Sequence, residues 1–82
     1  MALGDIIFSF ASPYHYPDGL TWDGTTLWLS YHAENAIYQF DTTGNVISSI
    51  SSPGSFSFGL TWDGTHLWNA DTLTDMVYQI TT

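Results

Sequence analysis

The feature that most constrains this 82-residue chain is an internal repeat with a period of forty. Laying Leu3–Thr42 over Thr43–Thr82 needs no gap and gives seventeen identities, including the unbroken run Gly19–Thr25 against Gly59–Thr65. Conservative apolar exchanges fall at Ile6/Val46, Phe10/Ile50, Ile37/Val77 and Phe40/Ile80. A repeat of this length is one supersecondary unit that cannot bury its apolar face alone, so the fold must supply neighbours.

Each unit predicts four short strands, from apolar alternation and β-branched or aromatic enrichment. The first is Leu20-Thr21-Trp22, followed by Asp23-Gly24, a dipeptide that suits a two-residue type I′ hairpin. Thr26–Tyr31 is the second strand, Ala36–Phe40 the third and Val46–Ile50 the fourth. The same reading recurs with Asp63 and Gly64 at the turn of the second copy. No segment has a sustained helical period. The expected fold class is all-β, with four-stranded antiparallel meanders.

A four-stranded meander repeated every forty or so residues is the sequence signature of a β-propeller blade. Gly19–Trp28 with Ile37–Gly44, and Gly59–Trp68 with Val77–Ile80, resemble the repeats of bacterial propellers of the NHL and related six-bladed groups. The resemblance implies two blades per chain. Trp22-Asp23 and Trp62-Asp63 only superficially match WD repeats, in which the dipeptide ends the third strand rather than the first.

The blade boundaries then define the expected organisation. Residues 4–10 align with the fourth strand at 44–50 and read as an outer strand donated to, or shared with, a neighbouring chain. Residues 19–50 form a complete blade, and 59–82 supply three strands completed in trans. About three repeats are the practical minimum for a solenoid or propeller, so the chain is expected to be a homo-oligomer. Head-to-tail contacts that close generate a ring: six blades as a trimer, favoured by the resemblance, or eight as a tetramer.

Composition limits the partners. The chain has no Lys or Arg and a formal charge of −8. Nucleic acids and anionic membrane surfaces are therefore excluded as expected partners, because nothing neutralises phosphate. With 44% hydrophobic and 17% aromatic residues it is nonetheless a folding sequence. It has no Cys, and no run long enough to span a membrane. Its start lacks the basic and apolar regions of a signal peptide; a natural, secreted form would have lost its signal.

In a propeller, the loops between strands two and three and the loops between blades share one face. The two copies differ mainly there, which is where rigid folds carry binding residues. The candidate ligand-binding set is Tyr14, His15, Tyr16, Asp18, Tyr31, His32, Glu34, Asn69, Asp71 and Asp75; Phe56 lies on the same face. Aromatic rings beside carboxylates and amides suit a neutral carbohydrate or polyol. Two-blade chains closing into six-bladed trimers resemble small bacterial and fungal fucose-binding lectins. Those lectins use an Arg that this chain lacks, so their site residues do not transfer.

The alternative is a self-assembling symmetric scaffold, natural or engineered, without a dedicated ligand. His15, His32, Asp18 and Glu34 have no recognised metal-ligand spacing, so neither a metal nor a cofactor is expected. With no Cys, Lys or nucleophile elbow, the chain is not expected to be an enzyme. Trp22, Trp28, Trp62 and Trp68 are assigned, with Asp23, Gly24, Asp63 and Gly64, to structural roles between blades.

Overall fold

The computed structural model describes residues 3–54 and 57–82, with the backbone alone at 57 and 58. Seven strands form two antiparallel sheets. The first runs β1 (Pro17–Trp22), β2 (Leu27–Tyr31), β3 (Ala36–Phe40) and β4 (Val46–Ser51), each paired with the next in sequence. The second repeats the pattern with β5 (Ser57–Trp62), β6 (Leu67–Asp71) and β7 (Met76–Ile80). Register is conserved under the forty-residue shift: Trp22 opposes Leu27 as Trp62 opposes Leu67, and both first strands are irregular before Gly19 and Gly59.

The inner hairpins differ from the expected two-residue turn. Four residues, 23–26, separate β1 from β2, and only Gly24 has positive φ, at 106°. A type I′ turn needs positive φ at both central positions, and Asp23 does not adopt it. Asp23 instead works through its carboxylate. Oδ1 accepts the amides of Thr25 and Thr26 at 2.9 and 2.7 Å, while Oδ2 accepts the Thr26 hydroxyl and the Trp28 indole N–H at 2.7 and 2.8 Å. Asp63 repeats this at Thr65, His66 and Trp68. Thus the Asp carboxylate, the two residues after the Gly and the Trp five residues after the Asp form one hydrogen-bonded unit, and β2 starts one residue later than expected because the Thr26 amide is already engaged.

The carboxylates are tuned accordingly. Burial would raise the Asp23 pKa, but the bonds from Thr26, Thr25 and Trp28 outweigh it and hold the carboxyl well below its ordinary value. Asp63 is lowered in the same way, chiefly by the Trp68 indole. At the β3–β4 turn, bonds from the Thr43 side chain and the Asn45 amide bring Asp41 down to about 2.

Strand alternation gives each sheet two faces. In the first sheet, Trp28, Ser30 and Ile37 lie on what we term the front; Leu20, Trp22, Leu29, Tyr31 and Tyr38 lie on the back. The front of the first sheet packs on the back of the second. Trp28, Ile37 and Leu67 form the core, with Ile50, Leu60, Trp62 and Ile80 packed around them. β1 and β2 approach β5 most closely. This closeness requires Gly19: a Cβ there would come within 3.0 Å of the Leu60 backbone N and 2.9 Å of Ser30 Oγ. The Ser30 hydroxyl also accepts the Gly19 amide at 3.0 Å, satisfying a donor displaced at the strand irregularity.

One seam between two sheets cannot bury four tryptophans alike. Trp28 is 4% exposed and Trp62 packs on the core, but Trp22 is 47% exposed and Trp68 is half-buried. Residues 4–10, expected as a strand, make no ladder within the single chain. The end of this segment lies on the back of the first sheet, where Phe10 packs on Phe40 with ring centroids 6.0 Å apart.

Candidate functional site

Nearly all of the predicted site residues of the first repeat gather at one end of its sheet, where the chain entering β1 meets the β2–β3 connection. Pro17 opposes Tyr31 in the ladder, which brings Asp18 beside His32. Asp18 Oδ2 accepts the His32 amide at 3.3 Å and contacts its Nδ1. The connection is a single 3₁₀ turn, His32–Glu34, closed by Asn35 in the left-handed region at φ 50°. Asp75 takes the same conformation, φ 56°, at the matching position of the second repeat. Short polar side chains tolerate that geometry.

Aromatic rings cover this end. Tyr14 stacks on Tyr38 at 4.8 Å and meets Tyr31 edge-on at 5.5 Å. The Tyr31 hydroxyl shares a 2.7 Å hydrogen bond with Ser12 Oγ. Burial pushes the Tyr31 hydroxyl pKa upward. That of Tyr38 is raised by its hydrogen bond with Tyr14, aided by burial and the neighbouring Glu34 charge. Both shifts favour the neutral phenol.

Tyr16 is the outlying member. It has φ 62°, a conformation costly for a bulky side chain, and its ring is 67% exposed. It stands 5.6 Å from the His32 ring and 6.3 Å from that of His15. The resulting surface offers aromatic faces, the His32–Asp18 pair and the exposed Glu34 carboxylate, with no Lys or Arg nearby.

Three candidates lie in the interior instead. Tyr31 and Asn69 are fully buried and Asp71 is 3% exposed. Tyr31 roots the aromatic cluster, so it offers no surface to a ligand. Asn69 Nδ2 donates to the Gly59 carbonyl at 3.1 Å. Asp71, in the position corresponding to Tyr31, caps its own turn by accepting the Leu73 and Thr74 amides at 2.9 and 3.0 Å. A sequence comparison detects that these positions differ between repeats, but not that strand alternation points their side chains inward. Asp75 is exposed, and Phe56 lies outside the described residues.

Sequence reading missed Ser12 and Tyr38 as supports of the cluster, because both are identical between the repeats. Among the described residues, no group of three or more His, Asp or Glu is placed to hold a metal ion. No protein-family model matches the chain, and no curated protein matches it significantly.

Proposed function

We propose that this chain is the subunit of a homo-oligomeric β-propeller, a trimer in preference to a tetramer, whose loop face binds a neutral carbohydrate or similar polyol. The observation that carries the ligand reading is Tyr16. An exposed tyrosine held at φ 62° against its conformational preference sits beside His32 and Asp18. Backbone strain of about 1–3 kcal/mol is retained where the surroundings impose it, commonly at ligand-contacting positions. A flat exposed ring suits the apolar face of a sugar, and adjacent carboxylate and imidazole groups suit its hydroxyls. The −8 charge and the absence of Lys and Arg disfavour anionic ligands.

The ring reading is supported by the repeated register and by the directional packing of the first sheet's front on the second sheet's back. A glycan array followed by calorimetry on the native oligomer tests the ligand. Binding to a neutral sugar should be lost in Tyr16→Ala and weakened in Asp18→Asn. Silence across a broad neutral panel would overturn the ligand assignment and leave a self-assembling scaffold.

A further inference from the structure

Each exposed face of the chain has a buried counterpart forty residues away. On the back of the second sheet Leu60 and Trp62 pack into the core, whereas their equivalents Leu20 and Trp22 are 61% and 47% exposed. On the front of the first sheet Ile37 is fully buried, whereas its equivalent Val77 is 65% exposed. The unmatched front and back are therefore the two halves of the seam already formed inside the chain. A shallow hollow of about 280 Å³ on the front of the second sheet is lined by Gly59, Thr61, Trp68, Ala70 and Val77, among others. Gly59 corresponds to Gly19, over which Leu60 closes.

The N-terminal segment repeats the same logic. Phe10 packs on Phe40 as Ile50 packs in the cluster containing Ile80. Ser12 Oγ donates to the carbonyl two residues on, at Tyr14 (2.7 Å), as Ser52 Oγ does to Gly54 (2.9 Å). Residues 10–14 thus stand to the first sheet as 50–54 stand to the second. Residues 4–10 accordingly stand before the first sheet where β4 stands before the second. Among the described residues, nothing pairs with the outer edge of β7. The segment cannot complete its own second sheet from there, because it lies on the back of the first sheet while the second packs on the front.

We propose that a second copy of this chain docks the front of its β5–β7 sheet on the back of the first sheet, with its β7 pairing antiparallel to residues 4–10. This rests on the ring reading above and fixes its seam. Shifting the β3–β4 register by forty sets the pairs: Gln39–Ser48 becomes Gln79–Phe8, and Ile37–Ile50 becomes Val77–Phe10. Leu20 of one copy then closes over Gly59 of the next. Ile6, Ile7 and Phe8, exposed at 84%, 81% and 63%, then form the outer, fourth strand of the assembled blade, the place that Val46, Ile47 and Ser48 hold in β4.

With no native Cys, paired cysteines report this seam directly. Directly opposed residues in neighbouring strands lie within disulfide reach. Under mild oxidation the Phe8→Cys/Gln79→Cys chain should form intermolecular disulfides at least about tenfold faster than Asp5→Cys/Gln79→Cys, three residues out of register. At Gly59 an added Cβ is in ordinary van der Waals contact with Ala70 Cβ, at 3.5 Å, among the described residues, so the chain has room for Gly59→Val. It should keep the native circular dichroism while abolishing the oligomer in native mass spectrometry.

A disulfide closed within one chain, equal rates for both pairs, or a folded Gly59→Val that still assembles would overturn the seam. An oligomer that persists with either of the last two results leaves the ring standing on another seam. Failure to bind sugar by a correctly cross-linked oligomer overturns the ligand reading alone.

Discussion

The two sheets share their hairpins and differ at the opposite end. In both, an Asp carboxylate locks a Gly turn and holds the indole N–H of the Trp five residues on. At the β2–β3 end, the first repeat places Tyr31 where the second places Asp71. Tyr31 recruits Ser12, Tyr14 and Tyr38 into an aromatic cluster. Asp71 turns inward on its own loop and satisfies two backbone amides. One substitution in register thus separates a repeat that projects rings outward from one that closes on itself.

The largest expected difference concerns the tryptophans. In the assembly-blocked Gly59→Val background, Trp28→Ala should lower the unfolding free energy by about 3–5 kcal/mol. Small domains have only about 5–15 kcal/mol in total. Trp68→Ala should cost clearly less, because Trp68 is only half-buried without a neighbour. Urea denaturation measures both, and equal costs would break the assignment of one internal seam.

Next come the carboxylate hubs. Asp23→Ala removes five hydrogen bonds to a charged acceptor and should cost about 1–3 kcal/mol after allowance for its partial exposure. Asp63→Ala, at the more exposed hairpin, should cost less. Because Asp23, Asp41 and Asp63 titrate lower folded than unfolded, their stabilisation is complete above the unfolded value of about 3.9. It declines as pH falls through the folded values, the Asp41 share near 2. Denaturation midpoints should therefore fall from pH 4 downward, and less steeply in Asp23→Ala; an unchanged slope would remove Asp23 from the acid response.

A smaller effect is expected at Gly24, where φ is 106° and a Cβ would meet nothing within 4 Å. Gly24→Ala should destabilise by about 1 kcal/mol through conformation alone, with Gly64→Ala matching it. The smallest change has the opposite sign: Tyr16→Gly should stabilise by a few tenths of a kcal/mol to about 1 kcal/mol while losing sugar binding. A destabilised Tyr16→Gly would assign the ring to packing rather than recognition.

Much of the fold was legible because repetition and alternation are local signals. The strand positions, their order and the shared register follow from apolar residues recurring at two and at forty. The hairpin was misread at one point: Asp-Gly implied positive φ at both residues, whereas the Asp23 carboxylate spans residues 25, 26 and 28. A propensity rule for a dipeptide does not include that reach. The site was legible only in part. Sequence divergence marked Tyr16, Asp18 and His32, which do meet, and Tyr14, which packs on Tyr31 and Tyr38, but equally marked Tyr31, Asn69 and Asp71, which are buried.

The sequence by itself determined two antiparallel sheets, hairpins that match between the repeats and a chain without Lys or Arg. Those follow from residue types and spacings that act within a few positions of one another. Tertiary structure alone decided which Trp is buried, which carboxylate faces inward and which apolar face stays open. Identical sequence in the two repeats meets different surroundings: an added Cβ at Gly19 would run into Leu60 of the other sheet, whereas at Gly59 it would meet Ala70 of its own sheet at 3.5 Å. Burial belongs to the pair of surfaces in contact, so equal residues take unequal roles until an equivalent neighbour is present.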